Sequence, residues 1–248
     1  MKNRNPLNLL TEKIDLPSKG KLYPLDSPLS QGFVEILYPT AKEEDILTNP
    51  NYIKNDTAID KFIESIMVTD IDINDLCLCD KDAVMVAGRI LGLGSDYTIR
   101  EGLSNPITFN LSELQDKEVD WSLFDNTNEF EYNIKDVVIK FKVPTGHDMI
   151  AMKKEVEGLK KIDPNATIDT RIIYKFTIVE VNGKRDLPTI NDFCNRILMV
   201  DSKKLKAYVD LVTPGYTWKG TGTYIKDNKQ EKVEGLTIPV TTTFFYPS

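Results

Sequence analysis

The sequence predicts an α+β fold of two similar halves, each a strand, two or three helices and a β-hairpin, preceded by an extended N-terminal arm. Three observations predict it. One passage occurs twice: Val34-Glu35-Ile36-Leu37-Tyr38-Pro39-Thr40-Ala41-Lys42-Glu43 is echoed by Val138-Ile139-Lys140-Phe141-Lys142-Val143-Pro144-Thr145-Gly146-His147-Asp148. In each copy a β-branched and aromatic run ends at Pro-Thr, and acidic residues follow where a helix would begin. Next, the apolar spacing changes after each Pro-Thr from strand-like to helix-like, and returns to strand-like after a Gly and a Tyr-Thr pair. Finally, the echo persists along the chain, at an offset of 105 residues from Pro39 to Pro144 and 121 from Asp80 to Asp201.

The elements follow in order. Residues 1–32 are rich in Pro, Gly, Lys and Ser around Leu16-Pro17-Ser18-Lys19-Gly20-Lys21-Leu22-Tyr23-Pro24 and lack either periodicity, which predicts an extended arm with isolated apolar anchors. The first half spans 33–114. It has a strand over 33–38 and a helix over 58–68 carrying Ile59, Phe62, Ile63 and Ile66 at helical spacing. A second helix over 80–91 has Asp80 as N-cap and Gly92 and Gly94 as its stop. Two strands, 97–100 and 107–111, flank a turn at Asn105-Pro106. An acidic, Asn-rich connector covers 115–133, and the second half covers 134–248. There the pattern gives a strand over 137–143 and helices over 148–161, 168–181, 189–199 and 202–212. Asn182-Gly183 is a turn, Pro214-Gly215 stops the last helix, and the tail over 216–246 is β-rich. For 168–181, β-propensity opposes the repeat, and the repeat favours helix.

Composition narrows the function. The chain has 248 residues, 41% of them apolar, enough for a substantial core. No run approaches the ~20 apolar residues of a membrane helix, and the first residues lack a secretory apolar core, so a cytoplasmic protein without membrane contact is expected. A net charge of −7 opposes wholesale nucleic-acid binding, and Lys203, Lys204 and Lys206 read as the solvated face of a helix. The three cysteines, Cys77, Cys79 and Cys194, read as small buried thiols. His147 is the only histidine and has no cysteine near it in sequence, so it does not begin a zinc site.

The run Asp70-x-Asp72-x-Asn74-Asp75 opens like a calcium loop, but Asp75 stands where Gly is required and Lys81 where Glu is required. Gly88, Gly92 and Gly94 end a helix instead of opening one, unlike a dinucleotide fingerprint. No catalytic, cofactor-binding or metal-binding residue is therefore singled out, and no cofactor is expected. A hydrolase or metal-dependent enzyme would have to assemble its site from scattered carboxylates. The candidate functional residues are apolar anchors for a protein partner: Leu16, Leu22 and Tyr23 in the arm, and Phe244, Phe245 and Tyr246 in the aromatic tail.

Several of these segments, in order, resemble one family. They are the 16–24 run, Glu43-Glu44-Asp45-Ile46-Leu47, Ile59-Asp60-Lys61, Asp80-Lys81-Asp82 leading to Arg89-Ile90, Gly94-x-x-Tyr97, and Phe244-Phe245-Tyr246-Pro247. Together they resemble the T-even-type phage baseplate hub and hub-assembly proteins over nearly the whole chain. Many members of that family carry Cys-x-x-Cys pairs in the hairpins. Here Glu101-Gly102-Leu103-Ser104 and Lys219-Gly220-Thr221-Gly222 stand in those places, so a zinc role is not carried over. The resemblance implies a non-enzymatic protein of contractile-tail morphogenesis in the infected host cell's cytoplasm, present in the virion baseplate if structural. Its partners would be other hub or tail proteins, with self-association open. The alternative within the family is a transient chaperone for hub or tape-measure subunits.

Overall fold

A computed structural model describes residues 9–100, 105–226, 229–240 and 244–245. Its first strand, β1 (Thr11–Asp15), runs antiparallel to β2 (Phe33–Leu37), with Thr11 opposite Leu37 and Asp15 opposite Phe33. The N-terminal stretch is therefore not an arm throughout, because Thr11–Asp15 is half of a hairpin. Between the strands, residues 16–32 make an excursion of turns closed by a short 3-10 turn, Pro28–Gln31. Gly20 sits at φ 76°, and a Cβ there would run into the Ser30 carbonyl, so glycine is required for the excursion to fold back on itself.

Helix α1 (Ala41–Thr48) starts at the first Pro-Thr. Thr40 and Glu43 form a capping box, in which the Thr40 N–H donates to Glu43 Oε2 at 2.9 Å. After α2 (Pro50–Lys54), α3 (Ala58–Ile66) buries Phe62, Ile63 and Ile66 on one face. Met67 then returns to β2 and forms an antiparallel bridge with Ile36. Helix α4 (Leu78–Leu93) ends at Gly94, whose φ of 82° no β-branched residue would tolerate. It is followed by the antiparallel pair β3 (Asp96–Ile99) and β4 (Ile107–Asn110).

The acidic stretch is partly structured. Trp121 packs at a tilt against Phe124 and Phe124 edge-on against Phe130, and β5 (Phe130–Ile134) begins inside it. Only Lys135 and Asp136 separate β5 from β6 (Val137–Phe141). The second Pro-Thr opens α5 (Gly146–Leu159) with a capping box of Thr145 and Asp148. Helix α6 (Thr170–Thr177) passes directly into β7 (Ile178–Val181). The predicted 168–181 helix thus holds over Thr170–Thr177 and gives way to strand in its last four residues, because Ile178 and Val181 find ladder partners in Phe141 and Ile139 of β6. Helices α7 (Leu187–Arg196) and α8 (Met199–Val212) lead to the long hairpin β8 (Lys219–Lys226) and β9 (Lys229–Thr237).

The described strands form three sheets: β1-β2, β5-β6-β7, and one in the order β3-β4-β8-β9. Phe109 of β4 lies opposite Gly222 of β8, where a Cβ would stand 2.5 Å from Ile107 Cγ2. The main buried cluster draws on both ends of the chain, from Leu16 and Val34 through Phe62 and Tyr97 to Phe141, Leu205 and Phe244. A small second cluster joins Met152, Val156 and Ile172. The molecule is mixed α and β, and the described strand pairs are antiparallel, which fits an α+β fold. Among the described residues no helix is long and apolar enough to cross a membrane.

Candidate functional site

Helix α4 is held at both ends by buried charged side chains. At its start, Asp80 is fully buried in the first turn, not at the N-cap as its sequence position suggests; Cys77 occupies that place. Its Oδ1 accepts from the Ser18 backbone N–H at 2.9 Å and its Oδ2 from the Tyr23 hydroxyl at 2.5 Å. The Tyr23 oxygen in turn accepts from the Cys77 N–H at 2.9 Å. Burial pushes the Asp80 carboxyl up, and the donors from Ser18 and Tyr23 pull it back. Burial, and then the neighbouring Asp80, push the Tyr23 hydroxyl far above its ordinary range, so it stays a protonated donor.

At the other end, Arg89 is buried to 1% exposure and spends its guanidinium on main-chain carbonyls. Nε donates to Phe244 O at 2.8 Å, Nη2 to Asp96 O at 2.8 Å, and Nη1 to Gly94 O. Burial lowers its pKa from the ordinary value. Phe244 packs edge-on against Tyr97 at 5.1 Å, and Phe245 lies 4.9 Å from Phe62.

These contacts correct the predicted anchors. Leu16, Leu22, Tyr23, Phe244 and Phe245 are all buried in the chain's own core and present no surface to a partner. An apolar side chain next to an uncovered core gains ~25 cal/mol per Å2 by covering it. The arm and the tail meet such surfaces at the two ends of α4, so they close inward. Tyr246, the sixth anchor, lies outside the described residues.

The thiols Cys77, Cys79 and Cys194 are buried and unpaired, and burial pushes Cys194 up to about 11. His147 stands 3.2 Å from Asp75 Oδ1 and 3.7 Å from Asp72 Oδ2, on a solvated surface. Among the described residues no group of three or more His, Cys, Asp or Glu is placed to hold a metal ion.

A consecutive run of exposed apolar residues lies elsewhere, at the start of α8. Leu198, Met199 and Val200 are 56%, 89% and 57% exposed in a row, while Asp201 beside them is buried and pairs with Lys135 Nζ at 3.0 Å. Sequence patterning missed these residues because it placed Met199 as the last residue of the preceding helix. The signal available was a run of four apolar residues, Ile197 to Val200, directly before Asp201. Compared with protein-family models, curated proteins and solved structures, the chain matches none.

Proposed function

We propose that this protein is a non-enzymatic structural or assembly component of the baseplate hub of a contractile-tailed bacteriophage, acting through protein–protein contacts during tail morphogenesis in the host cytoplasm. The reading rests on the ordered resemblance described above. The observation that carries the contact-based part is the exposed Leu198-Met199-Val200 run, since three consecutive large apolar residues in water favour burial against another surface.

The same proposal includes two halves built on one plan. Each would run hairpin, capped helix, helix returning to the hairpin, long helix, hairpin. Three correspondences support it at steadily growing offsets. Thr40 and Thr145 open capping boxes, 105 residues apart. The bridge Ile36–Met67 corresponds to the pair Phe141–Ile178, with Met67 and Ile178 111 apart. Leu78 and Met199 begin the long helices, 121 apart, each with a buried aspartate two residues on.

The test is quantitative mass spectrometry of purified tails beside infected-cell lysate. Stoichiometric presence with baseplate subunits is the expected result for a structural component. Abundance in lysate with absence from tails would identify the transient chaperone. Failure to associate with any tail subunit in either fraction would overturn the reading.

A further inference from the structure

The start of α8 is bare where the start of α4 is covered by other parts of the chain. Aligning Asp201 with Asp80 puts Leu198, Met199 and Val200 at the positions of Cys77, Leu78 and Cys79. Cys77 and Cys79 are 1% and 7% exposed. They are covered from one side by the 16–32 excursion, through Ser18 and Tyr23, and from the other by Pro144 and Thr145, through the Leu78 N–H to Pro144 O bond of 2.9 Å and the Cys77–Thr145 bridge. In the second hairpin the 17-residue excursion between β1 and β2 (16–32) shrinks to Lys135 and Asp136. From that turn only Lys135 reaches the buried aspartate.

We infer that Leu198, Met199 and Val200 seat an extended segment of another protein that repeats the chemistry of this chain's own 16–23 stretch. That segment presents leucine-sized apolar side chains and a tyrosine-type hydroxyl that bridges the Leu198 N–H and the Asp201 carboxylate, as Tyr23 bridges Cys77 and Asp80. Lys135 does not obstruct it: its side chain is 63% exposed, and such a pair is worth only ~0–1 kcal/mol.

A second copy of this chain is disfavoured on two grounds. Its own excursion is already buried over its own Asp80. Its other covering element, the Pro39-Thr40 turn, carries Ala41 where the second turn has Gly146. A Cβ at Gly146 would stand 2.7 Å from Asn74 Cα, so the close approach made by Pro144-Thr145 cannot be repeated with alanine.

The inference rests on the reading of two halves with one plan, and the test separates them. A fluorescein-labelled synthetic peptide of residues 14–25 of this chain is titrated into the full-length protein and followed by polarisation. Saturable binding is expected, weakened at least tenfold by Met199→Glu and several-fold when the peptide carries Tyr23→Phe. Met199 is almost fully exposed, so Met199→Glu leaves the fold intact, which circular dichroism checks. Absence of saturable binding, or binding unchanged by Met199→Glu, overturns the proposal. So does a dimer in light scattering that Met199→Glu dissolves. In parallel, zero-length carbodiimide cross-linking reads whether the β5–β6 turn sits on the α8 start by joining Lys135 to Asp201. A cross-link without peptide binding sinks the docking site alone, and loss of both sinks the shared plan as well.

Discussion

Asp80 shows how a carboxyl group can be buried without being stranded. Its carboxylate takes one main-chain and one hydroxyl donor from the excursion, so removing either leaves an unsatisfied group in the interior. Tyr23→Phe is expected to cost ~1–3 kcal/mol. Asp80→Asn combined with it should cost less than the sum of the two single changes. Urea unfolding of the four-member cycle measures this, and strict additivity would mean that the bond contributes nothing. Asp82, one residue past Lys81 on the same helix, behaves differently. Burial pushes its carboxyl up to about 6 from an ordinary 3.8, outweighing the opposing pull of Lys81. The folded chain then holds a proton that the unfolded chain has released, so this group's contribution to stability falls as pH rises from about 4 to about 6. Asp82→Asn should therefore be more stable than the parent at pH 7, by an order of 1–3 kcal/mol, with the two converging below pH 4. An equal difference at both pH values would argue against the shift.

At the scale of elements, local chemistry was readable and contacts across the chain were not. Both Pro-Thr junctions start helices because a threonine followed three residues later by an acid caps its own helix. Thr145→Ala should accordingly cost ~0.5–2 kcal/mol in thermal or urea unfolding. Strand β1 was hidden because its short polar run becomes a strand only against β2, and α6 runs into β7 because β6 offers a ladder that no window of 168–181 reveals. The candidate anchors stand out in the sequence only as isolated apolar side chains. Their direction was not readable, since an apolar side chain covers whichever uncovered surface lies nearer, and that depends on folding of the whole chain. Phe245→Ala, which removes the ring packed on Phe62, should destabilise by ~3–5 kcal/mol as seen in the urea midpoint. An unchanged midpoint would return Phe245 to the surface.

For the whole molecule, the two ends of the chain and the middle share one core. Strands β4 and β8 join hairpins from either side of the acidic stretch, and Phe244 and Phe245 pack on residues of α3, β3 and α4. The segments on either side of the acidic stretch are thus not expected to stand apart. Expressed separately, residues 9–114 and 115–248 should each lack cooperative unfolding, whereas mixing them should restore a single transition. Independent sharp transitions from both pieces would show two autonomous units. The bond from Arg89 to Phe244 spans 155 positions of sequence, and this bears on how the protein is made. At ~5–20 residues per second, a ribosome needs about 8 to 30 s to travel from one to the other. Throughout that interval the nascent chain holds a guanidinium destined for the interior without its final acceptor, and the wall of α3 and α4 waits for its last two rings. Translation speed, and whatever shields the unfinished chain in the meantime, therefore belong to this protein's folding as much as its side chains do.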